Sequence, residues 1–152
     1  MAIPKIDRYA NFTELSRYEA EGRDYRIHLR RGNYGIVIGA PHGGRIERGT
    51  MAIADAIAGG EHTYYCFEGT EPKLKQNRVL HITSDHFDEP CALHAVQSAR
   101  RVITIHGATG LEPAVFAGGL DLVLRRAVLS AMRDRGIPAA DDPSPTRQGR
   151  GL

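Results

Sequence analysis

Residues 34–50 read YGIVIGAPHGGRIERGT, and the reading of this stretch decides the fold. Its first half, Tyr34-Gly-Ile-Val-Ile-Gly-Ala, is short, nearly continuous in apolar residues and rich in β-branched ones. Such a run is expected of a central strand covered on both faces. His42, two glycines and Glu47 follow at once. Residues 50–58 then place Ile53 and Ile57 four apart ahead of Gly59-Gly60. That spacing predicts a helix with Thr50 as N-cap and the glycines as its stop. Strand, glycine turn and helix in succession are the units of an α/β domain.

The flanking sequence extends the pattern. Tyr25, Ile27 and Leu29 alternate with Arg26, His28 and Arg30, which predicts a half-buried strand. Arg31-Gly-Asn-Tyr is turn chemistry, so this strand and the 34–40 strand are expected to form a hairpin. Residues 62–67, 79–83 and 101–106 are further β-rich runs. Between and around them lie helical patterns. Residues 11–22 carry Phe12, Leu15 and Tyr18 with Thr13 as a cap. Asp88-Glu89-Pro90 opens a helix whose inner face is Leu93, Val96 and Ala99. Residues 119–136 align Leu120, Leu124, Ala127 and Ala131 on one stripe. The expected fold is a single α/β domain over residues 1–138, with a mixed central sheet and helices on both faces. Residues 139–152, AADDPSPTRQGRGL, have almost no apolar anchor and are expected to be a disordered or truncated tail.

Composition excludes several classes. The chain has 152 residues, 41% hydrophobic and 25% charged, as an ordinary globular domain requires. A net charge of +2, with arginines only in short groups, gives no nucleic-acid footprint. No apolar run approaches the ~20 residues that span a bilayer, and no secretory h-region opens the sequence. Synthesis in the cytosol, with release by lysis, is the expectation. Cys66 and Cys91 belong to no C-x-x-C pair and are expected to be buried free thiols. Neither cysteine, nor Ser84, has the partner set of a nucleophile.

The chemistry-bearing residues sit where strands end. The 34–40 strand runs into His42, the 62–67 strand into Glu68 and the 101–106 strand ends in His106. Ligands collect at the carboxyl ends of strands in open α/β sheets. Two imidazoles and a carboxylate are one of the standard zinc sets, and Gly43, Gly44 and Gly107 give the turns freedom to aim them. Two other readings stand beside the metal site. Gly44-x-x-x-x-Gly49 has P-loop spacing, but Thr50 replaces the lysine. The stretch also reads as a plain turn.

Taken in order, NFTEL, APHGGRIERGT, YYCFEGT, LHITSDHFDEP, TIHGATG and FAGGLD resemble the phage-type poly-γ-glutamate hydrolase family over residues 8–137. Members of that family are zinc peptidases with a carboxypeptidase-like α/β fold, often of phage or prophage origin, that cleave γ-glutamyl amide bonds of a capsule polymer. The resemblance implies Zn²⁺ held by His42, Glu47 and His106, with the polyanionic γ-glutamyl polymer as partner. Arg45, Arg78 and His81 are the candidate substrate contacts. The family continues past its last helix into a strand whose glutamate, by analogy with carboxypeptidases, is the general base. The present sequence reads TRQGRGL there. Either the sequence is truncated there, or it has diverged or shifted frame, or another acid serves as base, Glu68 being the first candidate. The alternative to a hydrolase is a non-catalytic remnant that binds zinc or polymer.

Overall fold

The computed structural model describes residues 7–70, 79–110 and 112–144. The chain packs as two compact units, Met1–Gly107 and Ala108–Leu152. The first holds α1 (Phe12–Leu15), β1 (Tyr25–Arg30), β2 (Ile36–Gly44), α2 (Thr50–Ala58), β3 (Thr63–Gly69), a 3₁₀ turn (Ser84–His86), α3 (Pro90–Gln97) and β4 (Arg101–Thr104). Its sheet has the order β1-β3-β2-β4. β2 is parallel to β3 and β4, while β1 runs antiparallel to β3. The mixed sheet is as expected, and so is the central place of the apolar run.

The predicted hairpin does not form. β3 lies between β1 and β2, and the link from Arg30 to Ile36 crosses the start of β3. Gly32 makes that crossing possible, because a Cβ there would sit 2.3 Å from the Glu61 carbonyl oxygen. The linker is then bonded down by Asn33 N–H to Glu61 O and Gly32 N–H to Thr63 Oγ1. Alternation in β1 reports which side chains face inward and carries no information on which strand is the neighbour.

Helices cover both faces. On one, Tyr25, Val37, Tyr65 and Phe67 pack with Phe12 and Leu15 of α1 and Ala92 and Ala95 of α3. On the other, Ile38, Ala40, Tyr64 and Cys66 pack with Ala54 and Ala58 of α2. The inner faces are built from smaller residues than the apolar spacing suggested. Ile53 and Ile57 of α2 and Leu93 of α3 are exposed, while alanines make the contacts. Small side chains let these helices lie close to the sheet, so shape complementarity overrides the larger apolar residues.

Capping also differs from expectation. Asn11 caps α1, Gly49 precedes α2 in a left-handed conformation (φ 88°), and Glu89 caps α3. The Glu89 carboxylate is buried and accepts from Cys91 N–H, Ala92 N–H and Tyr65 O–H. Asp88 instead reaches back to α1 and accepts from Phe12 N–H, Thr13 N–H and Thr13 O–H. Cys66 is buried and Cys91 is exposed, which corrects the expectation that both are buried. Burial pushes the Cys66 thiol up to about 11, in keeping with an inert core thiol.

Residues 79–83 form no strand. Leu80 and Ile82 are buried as their alternation implies, but backbone groups of the segment are taken by side chains. The second unit comprises β5 (Val115–Ala117), α4 (Leu122–Arg133) and β6 (Ala139–Asp141), with β5 and β6 parallel. Asp121 caps α4, Gly136 follows it at φ 73°, and an Arg125–Asp141 ion pair ties α4 to β6. Leu129 is the buried residue of α4, and Ala127 and Ala131 of the predicted stripe are exposed. Order extends past residue 138 into β6, whose residues were expected in the tail; 145–152 lie outside the described residues. Among the described residues no helix is long and apolar enough to cross a membrane.

Candidate metal centre

The site begins with an irregularity in β2. Ala40 pairs with Cys66 and Gly43 with Glu68, so three steps on β2 oppose two on β3. The extra residue is a β-bulge at Pro41-His42, where the missing proline N–H costs no ladder bond. A bulge re-aims one side chain without ending the strand. Gly43 has room for nothing else, since a Cβ would lie 2.2 Å from Cys66 Sγ.

The His42 ring is 2% exposed and its orientation is fixed. Nε2 donates to the Ile82 carbonyl at 2.7 Å. That bond places the proton on Nε2 and leaves Nδ1 with its lone pair, the form a metal requires. Nδ1 faces His106 Nδ1 at 3.2 Å and Glu47 Oε1 at 3.4 Å. His106 Nδ1 stands 3.6 Å from Glu47 Oε2.

Glu47 reaches the same point from the β2–α2 loop. Its N–H donates to His42 O, and Thr50 Oγ1 donates to its carbonyl. Gly44, at φ 64°, lets the chain turn. Oε2 accepts from Gly107 N–H at 2.8 Å. Gly107 allows that approach because a Cβ would come within 3.1 Å of Glu47 Cβ. Burial acts to raise the pKa of Glu47. Hydrogen bonds at the carboxylate, the Gly107 N–H among them, outweigh it and hold the group well below the usual carboxylate range. The carboxylate is thus ready as an anionic ligand.

His42, Glu47 and His106 each offer one donor atom, all within 4.8 Å of one another. A tetrahedral zinc with bonds of ~2.0–2.1 Å has donor–donor edges of ~3.3–3.4 Å. His42 Nδ1 lies 3.2 Å from His106 Nδ1 and 3.4 Å from Glu47 Oε1, close to two such edges, while His106 Nδ1 is 3.6 Å from the second carboxylate oxygen, Oε2. Two imidazoles and a carboxylate brought this close are a donor set that suits a metal ion such as zinc.

The other sequence candidates fall in different places. His81 stacks on His42 with ring centroids 4.2 Å apart, and its Nε2 is 4.0 Å from Glu47 Oε1. Arg45 is exposed on the loop two residues before Glu47. Arg78 lies outside the described residues. Glu68 is bonded to His28 Nε2 at 2.7 Å and does not join the three donors. Three contacts around the centre escaped sequence reasoning: the Ile82 carbonyl on His42, the Gly107 N–H on Glu47 and the Asp7 carboxylate on His81 Nδ1. Backbone groups have no sequence signal, although a glycine directly after His106 was a hint of close approach. Asp7 stands more than thirty residues from any ligand in the chain.

A mixed α/β sheet carrying a His–Glu–His donor set where its parallel strands end defines a class of metal-site proteins. Within that class the chain belongs to the poly-γ-glutamate hydrolase family, which it matches over residues 9–151. It is 37% identical over 133 residues to UPF0714 protein YndL of Bacillus subtilis (strain 168), covering 88% of this chain and 51% of that protein. UPF0714 protein YmaC of the same organism is 35% identical over 135 residues, covering 88% and 55%. The SPbeta prophage-derived UPF0714 protein YoqZ is 35% identical over 138 residues, covering 91% and 49%. The chain spans about half the length of the curated relatives it matches. Among solved structures, a bacteriophage poly-γ-glutamate hydrolase superposes with TM-score 0.85 at 31% identity, over 92% of this chain and 68% of that one. The zinc-free form of YndL gives TM-score 0.85 at 34% identity, over 96% and 74%.

Proposed function

We propose that this chain is a zinc-dependent hydrolase of γ-glutamyl amide bonds in poly-γ-glutamate, with His42, Glu47 and His106 as metal ligands. The observation that carries the reading is the His42–Glu47–His106 cluster, one donor atom from each within 4.8 Å of the others, in a member of this family. When bound, zinc would supply an activated water of pKa ~7 and would polarise the scissile carbonyl. The chain's own residues prepare the site for it. Ile82 O fixes the His42 tautomer, and Gly107 N–H anchors Glu47 so that its free oxygen faces the centre. Arg45 presents a cation beside the ligand loop, suited to a substrate that carries one carboxylate per residue. His81 forms part of the wall beside the ligands, and Arg78, outside the described residues, is a second substrate-binding candidate from the sequence. Glu68 enters this reading as the partner of His28.

Metal analysis and polymer sizing test the proposal together. About one zinc per chain is expected, with loss of zinc in His42→Ala and His106→Ala. Poly-γ-glutamate should shorten with zinc present and stay intact after chelation. A wild-type chain that takes up no zinc ends the metal reading. Zinc uptake and polymer binding without shortening would make the chain a binding remnant.

A further inference from the structure

The segment 80–83 supplies the carbonyl that orients His42 and the ring that stacks on it, yet no strand ladder holds it. Its bonds come from outside the sheet. Asp7 Oδ1 binds His81 Nδ1 at 2.7 Å, and Asp7 Oδ2 accepts from Thr83 N–H at 2.5 Å. The two bonds bracket Ile82 from both sides. Below, the Leu80 and Ile82 side chains are seated in the core, so the segment is fixed at four consecutive positions. The same geometry sets the His81 tautomer. With Nδ1–H on Asp7, the ring lies in a defined plane, 23° from that of His42.

We propose that Asp7 is a positioning residue for the metal centre: its carboxylate clamps His81 and the Thr83 backbone, and thereby holds the Ile82 carbonyl and the His81 ring against His42. This rests on the zinc reading above. Asp7 touches no ligand; it acts through the group that orients one. Partners one shell outside a metal are worth ~10–100-fold in affinity, because a ligand free to rotate loses both tautomer and aim.

The test compares zinc Kd, from competition with a chelating dye, with the melting temperature of the metal-free protein. Asp88 serves as a control, since it too bridges distant backbone, at α1 and away from the ligands. Asp7→Asn, which can accept only one of the two bonds, should weaken zinc binding by about tenfold, the low end for groups bonded directly to a ligand. Asp88→Asn should lower the melting temperature and leave zinc Kd unchanged. The Co²⁺-loaded Asp7→Asn protein should also show a ligand-field spectrum altered from wild type. His81→Phe keeps the stacked ring and loses the Asp7 bond, and is the second probe if Asp7→Asn does not fold. Its expected loss is about tenfold. Wild-type affinity in Asp7→Asn, or in His81→Phe where that is the folded variant, overturns the inference. So does an equal loss of affinity in Asp88→Asn, which would mean general loosening. A wild type that binds no zinc fails earlier, at the metal reading itself.

Discussion

Glu47 and Glu68 are both acids placed where a parallel strand of the same sheet gives way to a loop. Glu47 follows the end of β2 by three residues and meets two histidines. Glu68 lies inside β3, in register with Gly43, and meets His28 across the strand pair instead. The difference is set by backbone geometry. The loop after β2 has a bulge before it, a left-handed glycine within it and a helix start behind it, and these turn its carboxylate onto the bulged histidine. β3 stays regular through Glu68, so period-two alternation keeps that side chain on the face of Tyr64 and Cys66. A position at a strand's carboxyl end brings an acid near a site, and local irregularity decides whether it enters.

The largest effect expected from breaking this contrast is in Glu47→Gln. A neutral amide is a poor zinc ligand, so zinc Kd measured by dye competition should weaken by more than the ~10–100-fold of an outer partner. Retained zinc would move the carboxylate ligand elsewhere. Gly107→Ala is next. The new methyl would crowd Glu47 Cβ at 3.1 Å and disturb the anchored oxygen, and a loss of about tenfold in zinc affinity is expected.

Smaller effects come from acids bonded outside the centre. Burial raises the Asp88 pKa, but bonds from Thr13 O–H, Thr13 N–H and Phe12 N–H outweigh it and hold the group below its ordinary 3.8. A depressed carboxylate stabilises the fold above its unfolded value and loses that contribution as pH falls through the folded one. Asp88→Asn should therefore cost about 1 kcal/mol, or ~3 °C, at pH 6. The gap to wild type should close in melts below about pH 4. Glu68→Gln should change least. Its pair with His28 is partly exposed, so stability should fall by less than ~1 kcal/mol, and zinc content should not move. A tenfold loss of polymer turnover with zinc intact would break the comparison and place the proton-transferring acid on β3.

Much of this site was legible as residue type and order. His42 and His106 announced themselves as polar residues at the ends of apolar runs, and Gly43, Gly44 and Gly107 beside them marked tight backbone. What could not be read was direction. The pairing register that creates the bulge at His42 depends on β3, more than twenty residues away in the chain. The 79–83 run reads as a strand because its side chains alternate, yet it is bonded by Asp7 and His42. Alternation reports burial, and burial is shared by strands and by extended segments pinned by side chains.

By itself the sequence determined the elements that recur locally: β2 as a buried strand, the glycine turn, a mixed α/β composition of units and the three residue types suited to zinc. These follow from periodicity and from backbone freedom, which are properties of neighbours in the chain. Tertiary structure alone decided the strand order, the small-residue faces of α2 and α3, the separation of Glu47 from Glu68, and the clamp of Asp7 on the segment behind His42. Those depend on contacts between residues far apart in sequence, where packing and hydrogen-bond satisfaction select one arrangement from many that share the same local pattern.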